Sequence, residues 1–221
     1  MPRTSHDLDA AIATAEAAVD ALDLPRLRAA GLHRDPGAYN LLVHFLPPEV
    51  ARDHAATDAL RAELQRPTGP IGLYLHVPPC TGRCTFCHYA IEVNPAPDAL
   101  EAYLAALRTE ITTRWSPGGG LGEIASVLVG GGTPTYLSPG QLDGLLGHLH
   151  DTVEIAQGIE FTVESSPETI TADKLRVLLD HRVNRLNIGL QALDDTQLRS
   201  LARRHNAEEA LQSVRLAHEI G

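Results

Sequence analysis

The sequence predicts an α/β fold: a partial (β/α) barrel preceded by an N-terminal helical extension. Three observations predict it. From Gly72 onward short apolar strands alternate with amphipathic helices, the order that builds a parallel sheet. Most of these strands carry apolar residues on one face and polar residues on the other, whereas a flat sheet with helices on both faces would read as continuous apolar runs. Cys80, a run of glycines, Glu164 and Gln191 collect where the strands end, the place where barrels keep their sites.

Residues 1–68 read as a helical extension, because Leu8, Ile12, Ala15 and Val19 recur at helical spacing and a second stretch, Val50 to Leu64, follows Pro47-Pro48. Residues 69–221 read as the core. Strand one is Leu73 to Val77, with Leu73, Leu75 and Val77 on one face and Tyr74 and His76 on the other. A helix follows, with Asp98-x-x-Glu101 read as its capping box and Leu100, Tyr103, Leu104, Leu107 and Ile111 along one side. Strand two, Ala125 to Val129, runs into Gly130-Gly131-Gly132-Thr133-Pro134-Thr135. The next helix has Ser138 as cap, Pro139 at its first position, Gln141 closing a capping box, and Leu142, Leu145, Leu146 and Leu149 to bury. Strand three is Ile159 to Glu164, with Ile159, Phe161 and Val163 opposite Glu160, Thr162 and Glu164; its helix is Ala172 to Asp180. Strand four is Arg185 to Gln191, with Leu186, Ile188 and Leu190 opposite Asn187, Gly189 and Gln191. Two helices close the chain, Asp194 to Arg204 and Ala207 to Ile220, the second capped by Asn206 with Glu209 three residues on. Gly221 sits where a helix-ending glycine leads into a further strand, so the expectation is a core cut after its fourth βα unit, with a C-terminal half missing.

Composition narrows the partners. The chain has 221 residues, 43% of them hydrophobic, enough to bury a core without disulfide staples. Its 18 basic against 28 acidic residues give a net charge of −10, and every base except Lys174 is arginine. No basic stripe stands out, so nucleic acid is not an expected partner. No apolar run approaches bilayer length and the first residues lack a secretory apolar region, so a cytoplasmic protein without membrane contact is expected.

All three cysteines, Cys80, Cys84 and Cys87, fall within eight residues directly after strand one. An odd number at this spacing makes a poor disulfide framework, and a metal explains it better. Three thiolates in one loop can bind three irons of a cubane, leaving the fourth iron open to a substrate or cofactor, whereas electron-carrying clusters are normally held by four cysteines. Zinc, completed by His76 or His88, is the alternative, although zinc sites usually draw paired ligands from two segments. Taken alone, GGGTP makes a tight strand-to-helix connection; at a barrel strand end it also lets backbone groups approach a ligand.

The run Tyr74-Leu75-His76-Val77-Pro78-Pro79-Cys80-Thr81-Gly82-Arg83-Cys84-Thr85-Phe86-Cys87 resembles the YxHIPFCxxxCxYC signature of the radical S-adenosylmethionine (SAM) enzymes related to oxygen-independent coproporphyrinogen III oxidase. Four further stretches follow in the family's order. Gly130 to Ser138 resembles its GGGTPTxLS turn, Glu164-Ser165-Ser166-Pro167 its ExxP strand end, Asn184 to Gln191 its NRLSxGxQ strand, and Leu201-Ala202-Arg203-Arg204-His205 its LGRxH helix end. Linked motifs in order are far more specific than any one alone. Two departures stand out: Pro79 replaces the usual phenylalanine, and His88-Tyr89 follows the third cysteine.

The resemblance implies a partial barrel of the radical SAM type. It implies that Cys80, Cys84 and Cys87 hold a 4Fe-4S cluster whose open iron takes the amino and carboxylate groups of S-adenosyl-L-methionine. One electron, from a donor such as flavodoxin or ferredoxin, would then cleave that cofactor to methionine and a 5′-deoxyadenosyl radical. By the same resemblance Tyr74 and Phe86 pack near cluster and cofactor, Gly131, Gly132 and Thr133 contact the methionine moiety, and Glu164, Gln191 and Arg203 supply polar contacts. The implied activity is that of a radical oxidoreductase acting on a small molecule, either a tetrapyrrole that is oxidatively decarboxylated or a natural product that is methylated or cyclopropanated. The alternative is a haem chaperone that binds without turnover.

Overall fold

The computed structural model describes residues 69–115 and 123–221. The helical extension expected for residues 1–68 lies outside them. The core opens with β1 (Ile71–Val77), β2 (Pro79–Cys80) and β3 (Glu92–Val93), followed by helix α1 (Pro97–Arg114). Next come β4 (Ile124–Gly131), α2 (Pro139–Thr152), β5 (Glu160–Ser165), α3 (Ala172–Asp180), β6 (Arg185–Ile188), α4 (Asp195–Ser200) and α5 (Ala207–Ile220). Short 3₁₀ turns, Pro134–Tyr136 and Pro167–Thr169, follow β4 and β5.

Strands β1, β4, β5 and β6 form one parallel sheet in the order β1-β4-β5-β6. The described residues therefore make an open wall of four strands with every carboxyl end on the same side. Its register places Val77 beside Gly131 and Ser165 beside Ile188, so the loops that follow β1, β4, β5 and β6 share one rim. The apolar strand face, with Leu75, Val77, Val127, Val129, Phe161 and Val163, is buried with Leu104 of α1, Leu142, Leu145, Leu146 and Leu149 of α2, and Leu178 of α3. Truncating a fully buried leucine such as Leu145 to alanine costs about 2–5 kcal/mol, so this layer fixes the wall on which the rim is mounted. On the opposite face Tyr74 is half-exposed, and Glu164 and Asn187 line a cavity.

Helix α2 follows the sequence reading. Ser138 Oγ accepts from Gln141 N, and Gln141 Oε1 accepts from Ser138 N, a complete capping box. Helix α1 does not. Pro97 takes the first helical position, which makes Ala96 the cap, and no side chain caps this helix. Asp98 and Glu101 therefore form no capping box; Asp98 lies inside the first turn, and Glu101 instead accepts a 2.6 Å hydrogen bond from Gln141 Nε2, tying α1 to α2. Helix α4 is shorter than predicted. It ends at Ser200, and Ala202, at φ 55°, turns the chain so that Arg203 N returns to Leu198 O at 2.9 Å. Strand β6 also stops early, at Ile188, and Gln191 lies beyond it at φ 69°. The inward register expected for Gln191 is thus replaced by a turn, because alternation ceases where the ladder ceases.

Candidate metal and cofactor site

The cysteine loop is clamped where it leaves β1. Glu92 N donates to Pro78 O at 2.9 Å and Asn94 N to Cys80 O at 3.0 Å, forming the short β2–β3 pair. From the other side Gly132 N donates to Val77 O at 2.9 Å and Thr133 N to Pro79 O at 2.8 Å. Cys80 is therefore held between the returning loop and the glycine turn. That turn has to be glycine. Gly131 sits at φ 118°, closed to L side chains, and a Cβ on Gly132 would come within 2.5 Å of Pro79 O and closer still to Pro78 O.

A cavity of about 240 Å³ opens at the carboxyl ends of the strands. Its lining includes Cys80, Cys84, Cys87, Phe86, Gly131, Gly132, Thr133, Glu164, Gln191 and Arg203. Of the cluster and cofactor residues that the resemblance implies, only Tyr74 is absent from this lining, and it lies close by. A Cβ on Gly130 would meet Glu164 Oε2 at 2.6 Å and a Tyr74 ring carbon at 3.2 Å, so both side chains lie over that glycine. Gln191, despite the lost register, reaches the lining through its turn. A larger cavity, about 500 Å³, lies between the Pro78-Pro79 segment and α1 and contains none of the thiols.

Among the described residues no three histidine, cysteine or carboxylate side chains are drawn together as a ready metal cage. The thiols share a cavity instead, with Cys80 Sγ 3.3 Å from Thr133 Oγ1 and Cys84 Sγ receiving Arg203 Nη1 at 3.0 Å. His76 is committed elsewhere: Nε2 donates to Ala90 O at 2.7 Å, so Nδ1 accepts from Tyr74 Oη at 3.0 Å. His88 is exposed and stacks on Tyr89.

Arg203 organises the polar side of the cavity. Its Nη2 donates to Ser166 Oγ at 2.7 Å and to Gly189 O at 2.6 Å, while Nε is buried without a partner. Glu164 Oε2 accepts from Gly131 N at 3.1 Å, which fixes the carboxylate against the glycine turn. Burial, and after it the charge of Glu164, pushes the Tyr74 phenol above its ordinary value of 10.0.

Behind the cavity lies a polar cluster that the sequence did not reveal. Glu168, in the turn after β5, accepts from Thr81 Oγ1 at 2.9 Å on Oε1 and from Ser166 Oγ at 2.5 Å on Oε2. Buried His205 places Nδ1 3.2 Å from Glu168 Oε2 and Nε2 3.1 Å from Leu190 O. Burial alone would raise the Glu168 carboxyl, but hydrogen bonds from Ser166, its own backbone N–H and Thr81, with the charge of Arg203, outweigh it and hold the group below 4.5. One signal pointed this way: Glu168 follows Pro167 at a strand's carboxyl end, where ionisable residues deserve scrutiny.

Residues 74–221 match the radical SAM superfamily. The chain is 33% identical over 152 residues to the heme chaperone HemW of Bacillus subtilis (strain 168), covering 67% of this chain and 39% of that protein. It is 30% identical over 153 residues to the oxygen-independent coproporphyrinogen III oxidase of Helicobacter pylori (strain J99), covering 69% and 34%. The structure of coproporphyrinogen III oxidase (HemN) from Escherichia coli, a radical SAM enzyme, shares a TM-score of 0.66 and 31% identity over 75% of this chain and 38% of that one. The chain thus spans about two fifths or less of the length of these relatives. Since the match runs from Tyr74 through the cysteine loop to the last residue, over the same parallel sheet that carries the cavity, the chain belongs to the radical SAM superfamily.

Proposed function

We propose that residues 69–221 form the cluster- and cofactor-binding part of a radical SAM oxidoreductase of the coproporphyrinogen oxidase-like group, with residues 1–68 as an appended extension. One observation carries the reading: Cys80, Cys84 and Cys87 line the same cavity as the glycine turn, Glu164, Gln191 and Arg203. The donor set fits a 4Fe-4S cluster with one open corner, since the chain holds three thiols and no fourth cysteine. The buried, unpartnered Arg203 Nε is a donor still available to a ligand. When bound, the cluster would supply the electron that cleaves S-adenosyl-L-methionine reductively.

The chain's own groups bind and orient. Arg203 places positive charge beside Cys84 and can receive a carboxylate. Glu164 offers its carboxylate to an amino or hydroxyl group, and the glycine turn lets a ligand approach the backbone between Cys80 and Glu164. Phe86, about half-exposed at the lip, and Tyr74 beside Glu164 would cover apolar parts of a bound cofactor and restrict water. The substrate is a small molecule, with tetrapyrroles favoured by the relatives, and the electron donor a flavodoxin or ferredoxin. No helix among the described residues is long and apolar enough to cross a membrane.

Anaerobic reconstitution of the chain is expected to give roughly four irons per chain and a paramagnetic spectrum that changes on adding S-adenosyl-L-methionine. Stoichiometric zinc with no iron uptake overturns the reading. The HemW relatives favour a second reading, a haem chaperone. Tight haem binding without 5′-deoxyadenosine formation selects the chaperone; 5′-deoxyadenosine formed with a porphyrinogen selects the enzyme.

A further inference from the structure

We propose that Glu168 is a positioning residue for this site, its carboxylate locking the cysteine loop to the strand ends that face it. The proposal rests on Cys80, Cys84 and Cys87 being the cluster ligands. Each carboxylate oxygen serves a different part of the fold: Oε1 accepts from Thr81 Oγ1, inside the cysteine loop and 87 residues away, while Oε2 accepts from Ser166 Oγ at the end of β5 and faces His205 beyond α4. Ser166 Oγ in turn receives Arg203 Nη2, and Arg203 Nη1 reaches Cys84 Sγ. The path from Thr81 through Glu168, Ser166 and Arg203 to Cys84 closes on the loop it started from, since Thr81 and Cys84 are three residues apart.

Such a ring constrains the loop at two points, one on each side of Gly82 and Arg83. It also sets Arg203, whose Nη1 lies 3.0 Å from Cys84 Sγ. Glu168 itself does not line the cavity and its side chain is only 17% exposed, so it acts through Thr81 and Ser166. Without its carboxylate, the hydroxyls of Thr81 and Ser166, on two segments, lose their common acceptor. The apolar layer of the sheet does not depend on this contact, so the loss should be local to the cysteine loop.

The test uses the full chain as wild type, Glu168→Ala, Glu168→Gln and Thr81→Val. In metal-free, reduced protein, site-resolved alkylation of Cys80 and Cys84 by iodoacetamide reports the order of the loop directly. Glu168→Ala and Thr81→Val are each expected to raise these rates about tenfold, the loss of roughly one buried hydrogen bond, with Glu168→Gln in between because its amide oxygen still accepts. After reconstitution, the same variants are expected to need about tenfold more S-adenosyl-L-methionine to produce the wild-type spectral change, at unchanged iron content. Rates and cofactor response within twofold of wild type in both Glu168→Ala and Thr81→Val overturn the proposal. If Glu168→Ala fails to fold, Thr81→Val alone decides it, since it removes only the loop's hydroxyl. If the wild type takes up no iron, the functional reading falls while the alkylation rates still decide the role of Glu168.

Discussion

Replacing Gly132 by alanine is the sharpest single perturbation of this site. The new methyl would be driven into the carbonyl oxygens of Pro78 and Pro79, which are backbone atoms and cannot rotate aside as a side chain would. Relief requires the glycine turn and the start of the cysteine loop to part. Overpacking of this kind costs about 1–3 kcal/mol. Parting also strains the bonds from Gly132 N to Val77 O and from Thr133 N to Pro79 O, each worth about 0.5–1.5 kcal/mol net. The expected destabilisation is therefore about 2–6 kcal/mol in urea titration of the full chain, together with weakened iron uptake because Cys80 directly follows Pro79. A variant within about 0.5 kcal/mol of wild type, with normal iron uptake, would refute the close-approach argument, since that is the ordinary range for surface substitutions.

Other consequences follow from the same geometry. Gly144 lies inside α2 with open space around a built Cβ, so Gly144→Ala should stabilise the chain by about 0.5–1 kcal/mol in the same titration, the reverse of Gly132→Ala. Lys174, half-buried, donates to Thr135 O at 2.6 Å and Thr169 O at 3.0 Å and so joins the two 3₁₀ turns; Lys174→Met should cost about 1–3 kcal/mol in a thermal or urea melt. The Glu168 carboxyl is held below its ordinary 4.5 in the folded chain, so its contribution is fully present above that value and is lost as pH falls through the folded value. The stability difference between wild type and Glu168→Gln, followed by urea titration at several pH values, should be constant above pH 4.5 and shrink below it; a difference that grows on acidification contradicts the assigned ionisation.

Features set by local chemistry were readable in the sequence. Ser138, Pro139 and Gln141 are all that the start of α2 requires, and the structure uses all three. The same reasoning misplaced the start of α1, where two start signals overlap: Pro97 can occupy only the first helical positions, and that outranks an Asp98 cap. Alternation identified the faces of β1 and β5, and the cysteines, glycines and Glu164 reached the predicted rim. It could not carry Gln191, because a residue at φ 69° beyond the last ladder bond is placed by a turn. The end of α4 was hidden for a related reason. Ala202 adopts a left-handed conformation where the motif it resembles has glycine, and alanine announces no such turn. Strands β2 and β3, two residues each, have no period to detect. Thr81, Ser166, Glu168 and His205 lie as far as 124 residues apart, and no local pattern links them.

The hydrogen bond from Arg203 to Cys84 spans 119 positions of the chain, and this has a bearing on biosynthesis. At roughly 5–20 residues per second on the ribosome, the thiols emerge about 6–24 s before the arginine that faces them. During that interval they have neither their cationic neighbour nor the far wall of the cavity. They are free thiols in a nascent chain, open to oxidation and to stray metal. On the proposed reading, an iron–sulfur cluster would enter the finished cavity only after translation has passed residue 203.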